Sequence, residues 1–315
     1  MKLIRHLLPD PLFPQGCVLT IGNFDGVHAG HGMILNALRE QANKMNLPML
    51  VMCFEPQPIE YFRGADAPAR ISTARDKINL LSAVGVDALY LVRFDEQLAS
   101  MSADDFVQLL TQQLHAKFVM IGDDFCFGKN RQGDFDYLKL VGKKCGFSVR
   151  QSTSYKIGNR RVSSTLIRHS LEKGELSQAA TYLGRTYSMS GRVIHGHKRG
   201  RELGFPTANI KVRNRKTPLK GVFAVTISLE SGGCFLGVAN VGTRPSIEET
   251  ESVLLEVHLF DFDDDLYGQR VSVDFIEKLR DEKKFNSLDH LTQQITDDAE
   301  QARIYFNHQL TSQKA

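Results

Sequence analysis

Residues 18–38 read VLTIGNFDGVHAGHGMILNAL, and this stretch decides the fold of the first half of the chain. Its first four residues form an apolar run with β-branched members, which is typical of a buried strand. Apolar residues then recur at helical spacing, so the pattern predicts a helix that begins near Ala29. Gly22 and Gly26 lie in the turn between strand and helix, where they permit a ligand to approach the backbone closely.

Two histidines, His28 and His31, lie three residues apart at the predicted helix start, so both project from one side of its first turn. That turn also presents backbone N–H groups and the positive end of the helix dipole, which favour phosphate. Imidazole N–H donors at this place would stabilise charge that builds on a phosphate during transfer. A lone histidine near a helix start is usually a surface or capping residue. The combination of strand, glycine turn and paired histidines predicts a phosphate site.

Alternating strands and helices continue through the first half of the sequence. The apolar patterns predict strands at 49–54, 88–92, 118–121 and 147–150, and helices at 74–84, 103–114 and 137–145. Such βα alternation predicts a doubly wound parallel sheet, whose ligands gather beyond the carboxyl ends of the strands. The loops at 22–31, 54–56 and 122–128 follow strands in this way. We therefore expect them to converge on one crevice.

A further stretch, RVSSTLIR at 161–168, predicts a strand end followed by a helix. Ser163 or Ser164 would cap this helix, and hydroxyl groups together with backbone N–H groups at a helix start also suit phosphate. Arg168 lies one turn further on and would reach a triphosphate with two parallel hydrogen bonds. A Ser or Thr before a helix is most often only a cap. The His-x-Gly-His sequence elsewhere favours phosphate binding by Ser164, Thr165 and Arg168.

The sequence pattern changes after Gly184, where short strands separated by glycines replace the βα alternation. This change predicts a domain boundary near 184–187 and an antiparallel barrel or sandwich beyond it. A final helix, capped by Asn286 or Ser287, carries an apolar stripe that would pack on the second domain. The predicted strands lie at 187–194, 221–229, 234–241, 252–260 and 269–276, and the stripe comprises Leu288, Leu291, Ile295, Ala299, Ala302 and Tyr305.

Three features of the second half of the sequence indicate ligand binding or catalysis. Residues 196–209 form a glycine-rich basic loop that suits anions, beginning at Gly196. Thr207 and Asn209, two apart on an extended segment, point to one side and offer hard oxygen ligands to Mg²⁺. Glu256 lies on the mixed-polarity face of an alternating strand. Spacing alone leaves open whether it is a half-exposed strand residue or a general base aimed into a pocket.

Composition narrows the classes of protein that remain. A chain of 315 residues favours two domains, and 42% hydrophobic with 24% charged residues is typical of a soluble globular protein. The net charge of +3 is too small to argue for nucleic acid. The five cysteines are scattered without a Cys-x-x-Cys pair, so we expect a reducing cytoplasm and neither a zinc site nor disulfides. No apolar run is long enough for a membrane span, and the N-terminus does not resemble a signal peptide.

Several motifs resemble those of one known family. Residues 22–31 (GNFDGVHAGH) and 163–168 (SSTLIR) are similar to the signatures of the HxGH nucleotidylyltransferases, in particular the FMN adenylyltransferase module of bacterial bifunctional riboflavin kinase/FAD synthetase. The second half resembles riboflavin kinase. Its matching motifs, in order, are GFPTAN at 204–209, NVGTRP at 240–245, EVH at 256–258, LYG at 266–268 and FIEKLRDEKKF at 275–285.

The resemblance implies an α/β fold: an N-terminal doubly wound parallel-sheet nucleotidylyltransferase domain at 1–184, and a C-terminal antiparallel β-barrel domain with a C-terminal helix at 185–315. It implies catalytic roles for His28, His31 and Glu256, of which Glu256 would take the proton of the ribityl 5′-hydroxyl. Mg²⁺ would be held by Thr207 and Asn209. ATP and its phosphates would be bound by Gly22, Asn23, Asp25, Ser164, Thr165, Arg168, Gly196, Thr207 and Asn209, and flavin by Phe54, Asp124 and Arg280.

The chain departs from the family pattern at three positions. Relatives often carry a basic residue in place of Cys126, which puts a phosphate contact from that position in doubt. Phe223 and Ser246 stand where relatives often have Tyr and Thr, and these changes keep the type of chemistry.

We therefore predict a bifunctional cytoplasmic enzyme that phosphorylates riboflavin to FMN with ATP and adenylylates FMN to FAD with release of pyrophosphate. The expected partners are small molecules (riboflavin, FMN and ATP), without nucleic acid or membrane and with at most weak self-association. One alternative is a nucleotidylyltransferase for another phosphorylated acceptor, with a non-kinase flavin- or nucleotide-binding C-terminal domain. Another is a non-enzymatic flavin- or nucleic-acid-binding protein.

Overall fold

The computed structural model describes residues 1–6, 13–196, 204–212, 216–244 and 252–312. These residues form two compact units. The first consists of residues 1–68 and 74–163, and the second of residues 69–73 and the chain from 164 onward. The domain boundary at 184/185 predicted from the sequence stays a prediction.

The first unit contains a sheet of six parallel strands, as the βα alternation predicts. Its strands are β1 (Lys2–Ile4), β2 (Cys17–Ile21), β3 (Met49–Glu55), β4 (Ala88–Arg93), β5 (Ala116–Ile121) and β6 (Ser148–Gln151). Their order across the sheet is β1-β4-β3-β2-β5-β6. The chain runs outward from β2 through β3 to β4 and then returns to β5 on the other side. This reversal opens a crevice beyond the carboxyl ends of β2 and β5, where ligands of such sheets bind.

Helices cover both faces of this sheet. They are α1 (Ala29–Met45), α2 (Pro58–Arg63), α3 (Ala74–Ala83), α4 (Glu96–Ser100), α5 (Ala103–Gln108) and α6 (Phe135–Cys145). Successive strand residues point to opposite faces, so Val18 belongs to one core cluster and Leu19 to the other. Two short 3₁₀ turns (Gly64–Asp66 and Lys129–Arg131) and the hairpin of β7 (Lys156–Ile157) with β8 (Arg160–Arg161) complete the unit.

The second unit is a closed antiparallel barrel, which confirms the predicted architecture. Phe223 and Phe275 fill its interior and cross edge to face at 5.4 Å between ring centroids. The strand order around the barrel is β10-β13-β12-β11-β14-β9. The elements are α7 (Ser164–Glu172), α8 (Leu176–Leu183), β9 (Ser188–Ile194), β10 (Ala208–Lys211), β11 (Gly221–Leu229), β12 (Cys234–Arg244), β13 (Ser252–Leu259), β14 (Arg270–Arg280) and α9 (Leu288–Ser312).

The structure also contains elements that the apolar patterns do not predict. Strands β1 and β10 are too short to show a clear period, and β7 and β8 have two residues each. The helix predicted at 103–114 ends as a π-helical turn at Leu109–Gln113. Ser287 caps α9 by accepting the His290 N–H, but the first residue of the predicted stripe, Leu288, is 68% exposed. That part of the prediction is wrong, because the first turn of α9 lies off the barrel.

Half of the basic loop at 196–209, namely residues 197–203, lies outside the described residues. Among the residues that are described, no helix is both long enough and apolar enough to cross a bilayer.

Candidate active sites

The loop after β2 is held in an unusual backbone conformation. Phe24 and Val27 have φ angles of 48° and 40°, and Gly26 has 81°, all in the left-handed region. That region is sterically unfavourable for a β-branched residue and persists only where the surroundings enforce it. Phe24 and Val27 are both buried in the core beneath the loop, and the Gly22 N–H donates to the Met52 carbonyl of β3 at 3.1 Å. The buried core and the hydrogen bond to β3 therefore hold the loop in this conformation.

His28 and His31 form a reciprocal cap at the start of α1. The His31 N–H donates to His28 Nδ1 at 3.2 Å, and the His28 N–H donates to His31 Nδ1 at 3.3 Å. Each Nδ1 is thus an acceptor, so a neutral ring carries its proton on Nε2. The two rings stack with centroids 3.6 Å apart and planes 16° apart. The predicted helix start at Ala29 is confirmed, and both imidazoles have the tautomer that makes Nε2–H the donor.

Gly30, between the two histidines, lies against the His28 ring. A Cβ atom at Gly30 would lie 3.2 Å from both Cε1 and Nδ1 of His28. The His28 ring would then have to shift by a few tenths of an ångström. This explains the glycine of the His-x-Gly-His sequence, a role that sequence reasoning missed. The phosphate-site candidate Asp25 is 2% exposed and lies within the same loop.

The predicted flavin residues of the first unit lie at strand ends. Phe54 is buried near the end of β3, and its ring meets Phe94 edge to face at 5.8 Å. Phe94 also contacts Tyr61 and Phe62, whose residues are 41% and 68% exposed. Phe54 is the only member of this partly exposed aromatic cluster that was predicted from the sequence. The sequence feature that could have indicated this cluster is the Tyr61-Phe62 pair just after the loop at 54–56.

The loop at 122–128 is fixed through Asp123 rather than Asp124. The Ser154 hydroxyl donates to Asp123 at 2.7 Å, and the Arg161 guanidinium donates at 2.5 Å. The Ser154 hydrogen bond, followed by Arg161, holds the pKa of Asp123 below its usual value. Asp124 is left with a side chain that is 81% exposed, 3.8 Å from Arg161. The predicted flavin residue therefore projects from an anchored loop.

Ser164 is the first residue of α7, with Ser163 before it, in agreement with the predicted helix start. Thr165 is exposed, while Ser164 and Arg168 are half-buried. These three residues belong to the second unit and the two histidines to the first. Their joint action on one triphosphate stays a prediction.

The second unit brings Asn209 and Glu256 together. Asn209 on β10 is paired directly with Glu256 on β13, and Glu256 is paired with Asn240 on β12. Residues paired in this way point to the same face. Leu255 and Val257 are buried whereas Glu256 is half-buried, so the row of three polar side chains lies on the outer face of the barrel. The predicted alternation of β13 is confirmed.

The segment that precedes β10 is tied to β13 and lines a pocket. His258 Nδ1 lies 2.9 Å from the Pro206 carbonyl. Thr207 is exposed and, together with Tyr267, lines a cavity of about 340 Å³ in the second unit. The remaining wall is formed by Val193, Pro206, Ala208, Leu259, Phe262, Asp263, Asp264, Asp265 and Leu266.

Gly196 lies against Asn209. A Cβ atom at this glycine would lie 2.5 Å from Asn209 Cγ and 2.7 Å from its Oδ1, distances that real Cβ atoms do not reach. The glycine therefore sets the position of the Asn209 amide, a contact that the spacing of the motif did not indicate.

Arg280 is held by a carboxylate that sequence reasoning missed. Its Nε and Nη2 atoms donate to the two oxygens of Asp298 on α9 at 2.8 and 2.7 Å. Asp298 is 3% exposed and also accepts from Gln294. The available signal was an acidic residue within the apolar stripe, three after Ile295 and four before Ala302. The guanidinium lies 5.8 Å from the centre of the Phe285 ring.

Comparisons with known proteins agree with both units. A family model described as FAD synthetase matches residues 10–166, and one described as riboflavin kinase matches residues 183–306. The bifunctional riboflavin kinase/FMN adenylyltransferase of Haemophilus influenzae is 50% identical over 98% of this chain and 100% of its own. The protein of the same name from Escherichia coli is 45% identical over 97% and 98%, respectively.

A solved structure is also similar over nearly the whole chain. It is titled a macrolide-efflux protein from Streptococcus pneumoniae, with a TM-score of 0.82 and 30% identity, and the match covers 96% of this chain and 99% of that one. With two relatives of at least 45% identity over almost their full length, the chain belongs to the family of bifunctional riboflavin kinase/FMN adenylyltransferases.

Proposed function

We propose that the barrel phosphorylates riboflavin to FMN and that the parallel-sheet unit adenylylates FMN to FAD. As a member of its family the chain is both a riboflavin kinase and an FMN adenylyltransferase. Riboflavin, FMN, FAD and ATP are thus its substrates and products. The assignment of one activity to each part of the chain is our proposal. We keep its division at 184/185, so that α7 and α8 go with the adenylyltransferase activity although they belong to the second compact unit.

The observation that carries the adenylyltransferase assignment is the reciprocal cap of His28 and His31. Because each Nδ1 accepts a backbone N–H, each ring offers Nε2–H as its donor at a helix start. We propose that these donors follow the charge that builds on the α-phosphate of ATP as the FMN phosphate attacks and pyrophosphate leaves. No covalent intermediate on the protein is required, because positioning and charge stabilisation dominate such transfers. Gly22, Asn23 and Asp25, with Ser164, Thr165 and Arg168, would bind the nucleotide.

The flavin of this reaction would lie against the aromatic cluster of Phe54, Tyr61, Phe62 and Phe94. Flat aromatic rings suit an isoalloxazine, and two of these side chains are partly exposed. Asp124, projecting from its anchored loop, would contact a polar edge of the same ring. Cys126 is half-buried in that loop, and we assign it no role in phosphate binding.

For the kinase reaction we propose Glu256 as the general base. It would take the proton of the ribityl 5′-hydroxyl as that oxygen attacks the γ-phosphate of ATP. The support is its pairing with Asn209, which puts the base beside an oxygen ligand on one face of the barrel. Arg280, held in a fixed orientation by Asp298, would lie over the flavin and nucleotide.

The oxygen atoms near this face are suitable ligands for Mg²⁺ that arrives with ATP. Thr207 and Asn209 supply a hydroxyl and an amide oxygen, which are the hard ligands that Mg²⁺ prefers. The described residues contain no group of three or more His, Cys, Asp or Glu side chains arranged for a metal. Mg²⁺ usually keeps several waters and phosphate oxygens in kinase sites, so two protein oxygens suffice. When bound, the ion would neutralise phosphate charge.

We also propose that the enzyme acts in the cytoplasm on small molecules only. The five cysteines are free, which suits a reducing compartment. Nucleic acid and membrane have no place in the reaction, and weak self-association stays a prediction.

A product assay tests the two activities. We expect purified protein with riboflavin and Mg-ATP to accumulate FMN and then FAD, separated by chromatography, with pyrophosphate released only during the second step. Supplied FMN should yield FAD directly. Failure to form FMN would contradict the kinase assignment. Pyrophosphate exchange supported better by another phosphorylated acceptor than by FMN would favour the alternative nucleotidylyltransferase.

Replacement of Gly196 by alanine should impair the kinase alone. The added methyl group must displace the Asn209 amide, because the two would lie at most 2.7 Å apart. Displacing a positioned ligand by about an ångström costs roughly ten- to a hundredfold, so we expect kcat/KM for Mg-ATP in FMN formation to fall by that factor. Steady-state kinetics would measure it, with FAD formation from FMN as the internal control. Unchanged kinase kinetics would mean that Asn209 does not hold the nucleotide.

A further inference from the structure

Lys77 on α3 is a buried cation that the proposed reactions do not use. The residue is 1% exposed, and its Nζ has no hydrogen-bond partner within the part of the chain that the structure describes. A charged ammonium that is buried without a partner is costly, so proteins retain one only where something offsets the cost. The position therefore calls for an explanation beyond packing.

Neighbouring side chains locate Lys77 beneath the loop that carries the two histidines. Leu81 follows it by one helical turn, so the two side chains share a face of α3. Leu81 is buried in the same core cluster as Cys53, Phe24 and Val27. Burial raises the pKa of the Cys53 thiol to about 11; the positive charge of Lys77 acts against that rise and the negative charge of Glu55 adds to it, which requires both charged side chains to lie near Cys53.

The topology shows where Lys77 lies along the direction of the strands. In a parallel βα unit the helix begins near the carboxyl ends of the strands and runs back along them. Lys77 is the fourth residue of α3, about one turn below the ligand-binding edge. Its neighbour Cys53 directly follows Met52, whose carbonyl accepts the N–H of Gly22. Lys77 therefore lies at the base of the loop formed by residues 22–28.

Gln57 provides a second, independent observation at the end of the same strand. It is 4% exposed, and its Nε2 also has no partner among the described residues. Both orphaned groups of this unit are donors: Lys77 lies near Cys53 of β3, and Gln57 follows the end of that strand by two residues. An anion bound nearby would offset the cost of burying such donors through its electrostatic field.

We propose that Lys77 is a positioning residue for phosphate: its buried ammonium stabilises the phosphates bound above the loop of residues 22–28, without touching them. The charge acts through the loop in a medium of low polarisability, where electrostatic interactions are stronger than in water. This inference rests on the proposed adenylyltransferase function of the first unit. The anion is a phosphate of either ATP or FMN.

The test compares the Lys77→Met enzyme with wild type and with Lys143→Met, which removes an exposed lysine of α6. Methionine keeps the length of the side chain and removes the charge. Without ligand we expect Lys77→Met to melt at the same or a higher temperature, because a buried unpaired charge is gone. We expect it to bind pyrophosphate about tenfold or more weakly in calorimetric titration. FAD formation should fall at least as much, with FMN formation and the Lys143→Met enzyme unchanged.

A second variant separates charge from packing. Lys77→Arg keeps the charge and should recover most of the pyrophosphate affinity that Lys77→Met loses. Separate KM values for ATP and FMN in the Lys77→Met enzyme identify which phosphate the charge serves. A Lys77→Met enzyme that melts lower yet binds pyrophosphate like wild type would overturn the proposal and leave Lys77 a structural residue. Equal loss of binding in Lys77→Arg and Lys77→Met would overturn it as well.

The outcome for Lys77 is distinguishable from the outcome for the proposed function. If Lys77→Met keeps full FAD formation while His28→Ala loses it, only the role of Lys77 is wrong. If His28→Ala also keeps FAD formation, the assignment of the first unit fails regardless of Lys77.

Discussion

Replacing His28 by alanine is expected to lower kcat for FAD formation from FMN and ATP by about a thousandfold, while riboflavin phosphorylation continues at the wild-type rate. The His28 ring carries its proton on Nε2, because Nδ1 accepts the His31 N–H at 3.2 Å. The substitution removes this donor from the place where charge builds on the α-phosphate. Both rates can be followed by separating riboflavin, FMN and FAD after reaction with Mg-ATP.

The same substitution also removes the N-cap of α1, which costs roughly 1 kcal/mol of stability, so the two effects must be separated. His28→Asn is the matched variant, since asparagine is a good N-cap but does not reproduce the stacked imidazole. We expect it to melt close to wild type and still to lose most FAD formation. His6→Ala, which removes an exposed histidine of the same unit, should behave as wild type. An active His28→Asn enzyme would show that the reaction does not need the imidazole itself.

Much of the first unit could be predicted because its four central strands, β2 to β5, are buried on both faces. The apolar runs at 18–21 and 49–54 have few other interpretations, and each is followed by a turn or proline that ends it. The βα alternation then leaves few topologies, since crossover connections in such sheets are right-handed. Strand β1 was not predicted, because three residues at the edge of the sheet carry no period.

The candidate sites were predictable in composition but not in geometry. Residue types and spacing indicated His28, His31, Thr207, Asn209 and Glu256. No local pattern indicates that Phe24 and Val27 adopt left-handed backbone conformations, because the buried core imposes those φ angles. The same holds for Asp298: its place in the apolar stripe indicates a buried helix position, but only the approach of β14 makes it the partner of Arg280.

The two sites differ in what holds their polar groups. In the parallel-sheet unit, the short loop after β2 positions both imidazoles, because Nδ1 of each ring accepts the backbone N–H of the other histidine. In the barrel, the register of the strands positions the polar side chains, since Asn209, Glu256 and Asn240 are neighbours on three adjacent strands. A one-residue slip of β13 would send Glu256 to the barrel interior. The kinase site therefore depends on the register of β13.

Replacement of Glu256 by glutamine is expected to lower kcat for FMN formation by about a hundred- to ten-thousandfold, the range typical for loss of a general base. The amide has the shape of the carboxylate and leaves the pairing of β13 with β10 and β12 intact, so the barrel should melt as in wild type. FAD formation from supplied FMN should be unchanged. Coupled detection of ADP measures the first rate, and pyrophosphate release measures the second.

Glu230→Gln is the matched control, because Glu230 is an exposed residue of the same barrel, just after β11. It carries the same chemical change away from the row of Asn209, Glu256 and Asn240, and we expect wild-type kinetics. Full kinase activity in Glu256→Gln would refute the base assignment and leave Glu256 a half-buried strand residue. Parallel loss of both activities would contradict the assignment of one reaction to each unit, because the first unit contains no part of β13.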